Sequence, residues 1–77
     1  MHKLLETVAL TRDIPEAGLC RGDLGAVVDI HSADAMEVEF VAASGRTQAL
    51  LTLLDGDVRQ VGDGDLLSVR TLEATSS

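Results

Sequence analysis

The sequence predicts an all-β fold, a small barrel or sandwich of five or six short antiparallel strands. Three observations carry this. Short apolar runs recur at near-regular spacing, with Gly- and Asp-rich turns between them. Within residues 35–42, positions 36–40 alternate between apolar and acidic side chains. No segment shows the apolar period of a helix, and closing the sheet would remove edges that so short a chain can hardly protect.

Met1 to Glu6 reads as a short lead-in, with Leu4-Leu5 as a helical turn or the start of a strand. Thr7-Val8-Ala9-Leu10-Thr11 favours the first strand, with Val8 and Leu10 on one face. Residues 12–19 break the pattern. Pro15 fixes its own backbone and pushes Ile14 towards extended geometry, and Ile14 and Leu19 are apolar anchors for an ordered loop.

Arg21-Gly22-Asp23 turns the chain into a second strand running to Ile30. Here the pattern places Leu24, Ala26, Val28 and Ile30 on the core face, and Gly25, Val27 and Asp29 on the other. Gly25 inside a strand implies a bulge or a close backbone approach.

His31-Ser32-Ala33-Asp34 is a polar loop. In the third strand Met36, Val38 and Phe40 point inward while Glu37 and Glu39 point to water. Ala43-Ser44-Gly45-Arg46 makes a hairpin turn into residues 47–54. That strand is apolar on both faces, so its second face, with Leu50 and Leu54, calls for a cover: the 13–19 loop or the C-terminal segment. Val58-Arg59-Gln60-Val61 forms a short strand after a turn that can be 3₁₀. Residues 62–72 are expected as an extra C-terminal strand, over 66–72, or an extension, and residues 73–77 as a frayed tail. The whole chain reads as one domain with its core in about residues 7–61.

Composition bounds the function. With 77 residues, the domain buries only about 60% of its unfolded surface. Phe40 is the sole aromatic, so the core is aliphatic. Thirteen acidic against six basic residues give a net charge of −7. Phosphate backbones repel such a chain, so nucleic acid and anionic membrane are disfavoured partners and a basic protein is favoured. One cysteine, Cys20, excludes an intramolecular disulfide and fits a reducing cytosol; its expected place is buried at the base of the loop. No apolar run reaches the ~20 residues of a membrane span, and the N-terminus carries no signal-peptide pattern.

Asp13-Ile14-Pro15-Glu16-Ala17-Gly18-Leu19, then Arg21-Gly22-Asp23-Leu24-Gly25-Ala26-Val27-Val28, then Glu37-Val38-Glu39-Phe40-Val41 with Gly45 and Ala49-Leu50-Leu51-Thr52-Leu53, together resemble a family of small uncharacterised bacterial proteins. The resemblance spans roughly residues 8–61. It implies an SH3-like barrel of about five antiparallel strands and brings no catalytic residues with it. Members of that family can sit beside toxin-like genes, which implies an antitoxin or immunity role. The Gly-Asp-x-Gly element also occurs in KOW-type modules and in nitrile hydratase β-type domains. These suggest the alternatives: a nucleic-acid module or an accessory domain of a metalloenzyme.

No residue pattern forms a catalytic, cofactor or metal signature. Arg21-Gly22-Asp23 is turn chemistry rather than an adhesion motif. Asp55, Asp57, Asp63 and Asp65 lack the third ligand and closing Glu of a calcium loop and read as turns. Ser32 and Ser44 have no nucleophile context; His31, near Asp29 and Asp34, reads as an exposed loop histidine rather than an acid-base group, and Cys20 as a small buried apolar residue rather than a thiol activated by Arg21. The expected activity is therefore non-enzymatic binding of another protein, with self-association as a further outcome of an uncovered apolar face. The residues selected for it are Glu37, Glu39 and Asp29 as an acidic face, Glu16 in the preceding loop, and Leu50 and Leu54 as the apolar patch.

Overall fold

A computed structural model describes residues 2–72. Five strands form: β1 (Thr7–Leu10), β2 (Leu24–Ile30), β3 (Ala35–Val41), β4 (Thr47–Leu54) and β5 (Val58–Gln60), with 3₁₀ turns at Pro15–Ala17 and Asp55–Asp57. They make one antiparallel sheet in the order β4-β3-β2-β1-β5. The all-β expectation holds, with five strands.

The sheet's two edge strands, β4 and β5, are consecutive in the chain. Only the Asp55–Asp57 turn separates them. The sheet must therefore curl until its edges meet at that corner. Hydrogen bonds fasten the corner to the end of β1: Thr11 N donates to Asp57 O at 2.9 Å and Thr11 Oγ1 to Gly56 O at 2.8 Å. The concave side holds the core, in which Val8, Leu10, Val27, Met36, Val38, Phe40, Leu53 and Val58 pack together. Ile14 and Leu19 join it from the loop, paired as an isolated bridge, so the loop closes over the inside of the curl.

β3 follows its alternation: Met36, Val38 and Phe40 are buried, and Glu37 and Glu39 are only half-buried on the outer side. In β2 the sequence reading is reversed. Gly25 and Val27 face the core, while Leu24, Ala26 and Val28 are half-buried and Ile30 is exposed. The register explains it. Ala26 pairs with Glu39 and Val27 with Val38, but Asp29 pairs with Glu37, so Val28 is an extra residue at a bulge. The bulge breaks the two-residue period and turns Asp29 outward, which spares the core a carboxylate. Gly25 faces inward because Val38 and Phe40 fill the space where a side chain would stand.

Four further expectations fail. Residues 66–72 form no strand; they cross the surface as an irregular extension. Leu4-Leu5 is a turn, with Leu5 at φ 67, held by Leu5 N to Val27 O. Cys20 is exposed, because the buried loop anchors are Ile14 and Leu19, and Cys20 lies just outside the bridge they form. Neither the loop nor the C-terminal segment covers Leu50 and Leu54, which stay exposed because the loop packs on the opposite face. The expected tail, residues 73–77, lies outside the described residues. Among those described, no helix is long and apolar enough to cross a membrane.

Candidate functional site on the outer face of the sheet

Cross-strand pairing arranges the outer face of β2, β3 and β4 in rows. Glu37 lies between Thr52 and Asp29, Glu39 lies between Leu50 and Ala26, and Ala35 pairs with Leu54. Five of the six residues selected from sequence, Asp29, Glu37, Glu39, Leu50 and Leu54, therefore share one face. Glu16 does not. It stands exposed on the Pro15–Ala17 turn, in the loop that covers the inner face, and its charge acts weakly on Arg12.

The face combines charge with greasy surface. Leu50 is 53% and Leu54 62% exposed, and Val41 is exposed further along β3. A shallow depression of about 190 Å³ lies between Thr7, Leu24, Ala26, Glu39 and Val41. Thr47 Oγ1 donates to Glu39 Oε2 at 2.6 Å, which holds that carboxylate over the β3–β4 ladder. Asp29 and Glu37 sit directly opposite each other, a placement of like charges that costs stability in an antiparallel sheet. His31 Nε2 lies 3.4 Å from Glu37 Oε1 and offsets that repulsion whenever it is protonated. The donor atoms of Asp29, His31 and Glu37 converge within 4.8 Å, one nitrogen and two carboxylates, a set chemically suited to a divalent cation.

The remaining acids do structural work. Asp57 accepts from Arg12 Nε at 2.9 Å and from Leu54 N at 3.0 Å, and these bonds, Arg12 first, pull its carboxyl below the ordinary value. Asp65 takes both Arg59 nitrogens and Gly62 N, with the same result. The Asp57 and Asp65 carboxylates are thus spent on turns and ion pairs.

Asp23 does more than its turn requires. Its Oδ2 accepts from Cys20 N at 2.8 Å, as turn chemistry predicts. It also receives Arg70, whose Nε donates to Oδ1 at 2.8 Å and whose Nη2 donates to Oδ2. That guanidinium is the first cause of the lowered Asp23 carboxyl. Sequence reasoning missed the pair, because no spacing rule links residues 47 apart. One signal was there: Arg70 is the only cation after Arg59.

The molecule is thus a small all-β domain on one curled antiparallel sheet, with an acidic and apolar outer face. It belongs to the family described as Domain of unknown function (DUF4926), whose model matches residues 4–60, well over half of the chain. No curated protein and no solved structure matches it.

Proposed function

We propose that this chain is a non-enzymatic protein-binding module of the cytoplasm. Its docking surface is the outer face of β2, β3 and β4, and its partner is a basic protein. In its most specific form, the chain is the antitoxin or immunity partner of a neighbouring toxin. The supporting observation is the juxtaposition of exposed Leu50 and Leu54 with Asp29, Glu37 and Glu39 on one face. Apolar groups give such a surface affinity, and the acidic rows give it sign and orientation. A domain whose fold needed nothing from that face would gain little by keeping leucines wet and carboxylates opposed.

The test is co-purification of the tagged full chain with the products of the genes beside it. Expected is one stoichiometric partner, released by raised salt and lost on Glu37→Lys/Glu39→Lys and on Leu50→Ser. Failure to bind either neighbouring product, or binding that these variants leave unchanged, would overturn the reading.

A further inference from the structure

Residues 61–72 leave β5, cross the surface, and end against the turn before β2. There a groove of about 690 Å³ runs between the body of the domain (Leu19, Asp23, Leu24, Phe40, Val41 and Gln48 among its walls) and the chain's own residues 68–72. We propose that this groove is a binding site for an extended peptide carrying an arginine. The chain's own residues 68–72 line one side of it and seat Arg70 on its acceptors in cis, and a partner's segment of the same chemistry displaces them.

Three observations carry this. First, the acceptors fit a guanidinium. Arg70 Nε donates to Asp23 Oδ1 at 2.8 Å, and Nη2 donates to both Asp23 Oδ2 and the Gly18 carbonyl, the latter at 3.1 Å. Converging acceptors of this kind suit the planar fork of arginine and not the point charge of lysine. Second, most of the segment is exposed: Leu67 is 70% and Val69 97% exposed, and no strand forms. A segment that buries so little and is anchored through a surface ion pair is poised to exchange. Third, the body's share of the groove, including Gly18, Asp23, Leu24, Phe40 and Gln48, lies within the family match of residues 4–60, whereas the occupant lies beyond it. The acceptor site belongs to the domain, and the strap is an appendage that uses it.

The groove adjoins the outer face at Leu24 and Val41 but does not include Glu37, Glu39 or Leu50. The proposal rests on the protein-binding reading only in that the displacing segment comes from a protein, and the two can fail separately.

The experiment uses the full chain and a fluorescent peptide of residues 66–72, followed by anisotropy. Arg70→Ala frees the groove and is expected to bind the peptide roughly tenfold or more tightly than the native chain, since a tethered occupant competes at an effective concentration in the millimolar range. Replacing the peptide's arginine with alanine abolishes binding. So does Asp23→Asn in the Arg70→Ala background, which keeps an acceptor for Cys20 N. Amide chemical shifts should move at Leu24, Gln48 and residues 40–43. Glu37→Lys/Glu39→Lys leaves peptide binding intact, which separates this site from the sheet face. If Asp23→Asn fails to fold, the alanine peptide still decides. Equal binding by the native and Arg70→Ala chains, indifference to the peptide's arginine, or shifts elsewhere would overturn the proposal. A native dimer dissolved by Asp23→Asn would overturn occupation in cis and place the segment in a second copy.

Discussion

An ideal Cβ built on Gly25 stands 2.6 Å from Val38 Cγ1 and 2.8 and 3.0 Å from two ring carbons of Phe40. Carbon atoms in contact prefer about 3.5–4.0 Å, so Gly25→Ala forces β2 away from β3 or moves two core side chains. Both neighbours are buried, Val38 at 0% and Phe40 at 2% exposure, and Val38 is stiff at χ1, so neither has open space to enter. Overpacking of this kind costs about 1–3 kcal/mol. Alanine returns about 0.4–1 kcal/mol by restricting the unfolded chain, and the backbone at Gly25 is not in the left-handed region, so no conformational strain is added. The net is a loss of about 1–2 kcal/mol. For a domain of this size, that lowers Tm by roughly 5–15 °C. Thermal melts by circular dichroism, with urea titrations for the free energy, measure it. Phe40→Leu removes the two ring atoms in conflict, so Gly25→Ala/Phe40→Leu should cost less than the sum of the single changes. A Tm for Gly25→Ala within about 2 °C of the native value, or strict additivity in the double variant, would refute the inward assignment of Gly25.

Other expectations follow from the same structure. Gly22 has φ 91 and nothing within 4 Å of an added Cβ, so Gly22→Ala should cost about 1–2 kcal/mol through backbone alone. Gly56→Ala, equally unhindered and without a positive φ, should stay within about 0.5 kcal/mol, and urea midpoints separate the two. Asp57, Asp23 and Glu6 have folded carboxyl values below their ordinary ones, owing first to Arg12, Arg70 and the Lys3 amide respectively. Their contribution is complete above the ordinary values of 3.8 to 4.5 and is lost as pH falls from there through the lower folded values. The urea midpoint should therefore hold from pH 7 to 5 and drop below about 4.5, less steeply in Asp57→Asn; an unchanged midpoint at pH 3 would contradict it. Leu54→Ser, at an exposed position, should leave stability within about 0.5 kcal/mol while weakening partner capture, so a large loss of stability would mean that Leu54 is core.

The parts of this fold that were legible were those where one pattern spoke alone. β3 has a single reading, because Glu37 and Glu39 cannot both be buried unpaired. β2 did not, since both of its alternating sets are largely apolar. Asp29 then tipped the choice, assigning its own parity to water, but the bulge at Val28 places Asp29 outside while Gly25 and Val27 stay inside. A bulge leaves no composition signal. Leu66 to Leu72 carries enough β-formers to read as a strand, yet it pairs with neither edge strand of the sheet, since propensity without a cross-strand partner does not make a strand. Of the candidate face, Glu37 and Glu39 were readable from the clear period of β3, whereas β4 is apolar on both faces and β2 carries a bulge before Asp29. The Asp23–Arg70 pair was not, because contacts between distant positions are set by the path of the chain.

The corner where β4 passes into β5 also has a consequence for how the protein is made. β1, near the start of the chain, pairs Val8 with Gln60 and Leu10 with Val58, so its second partner is synthesised last. Until residues 58–60 leave the ribosome, β1 has only β2 beside it, and the curl stays open with Val58 missing from the core. Contacts of such separation close slowly and only after the whole span is available. The domain must therefore fold after translation of its last strand rather than during it. Nascent chains arrested before Val58 has emerged should remain protease-sensitive, and those arrested after residues 58–60 have cleared the exit should become resistant in one step.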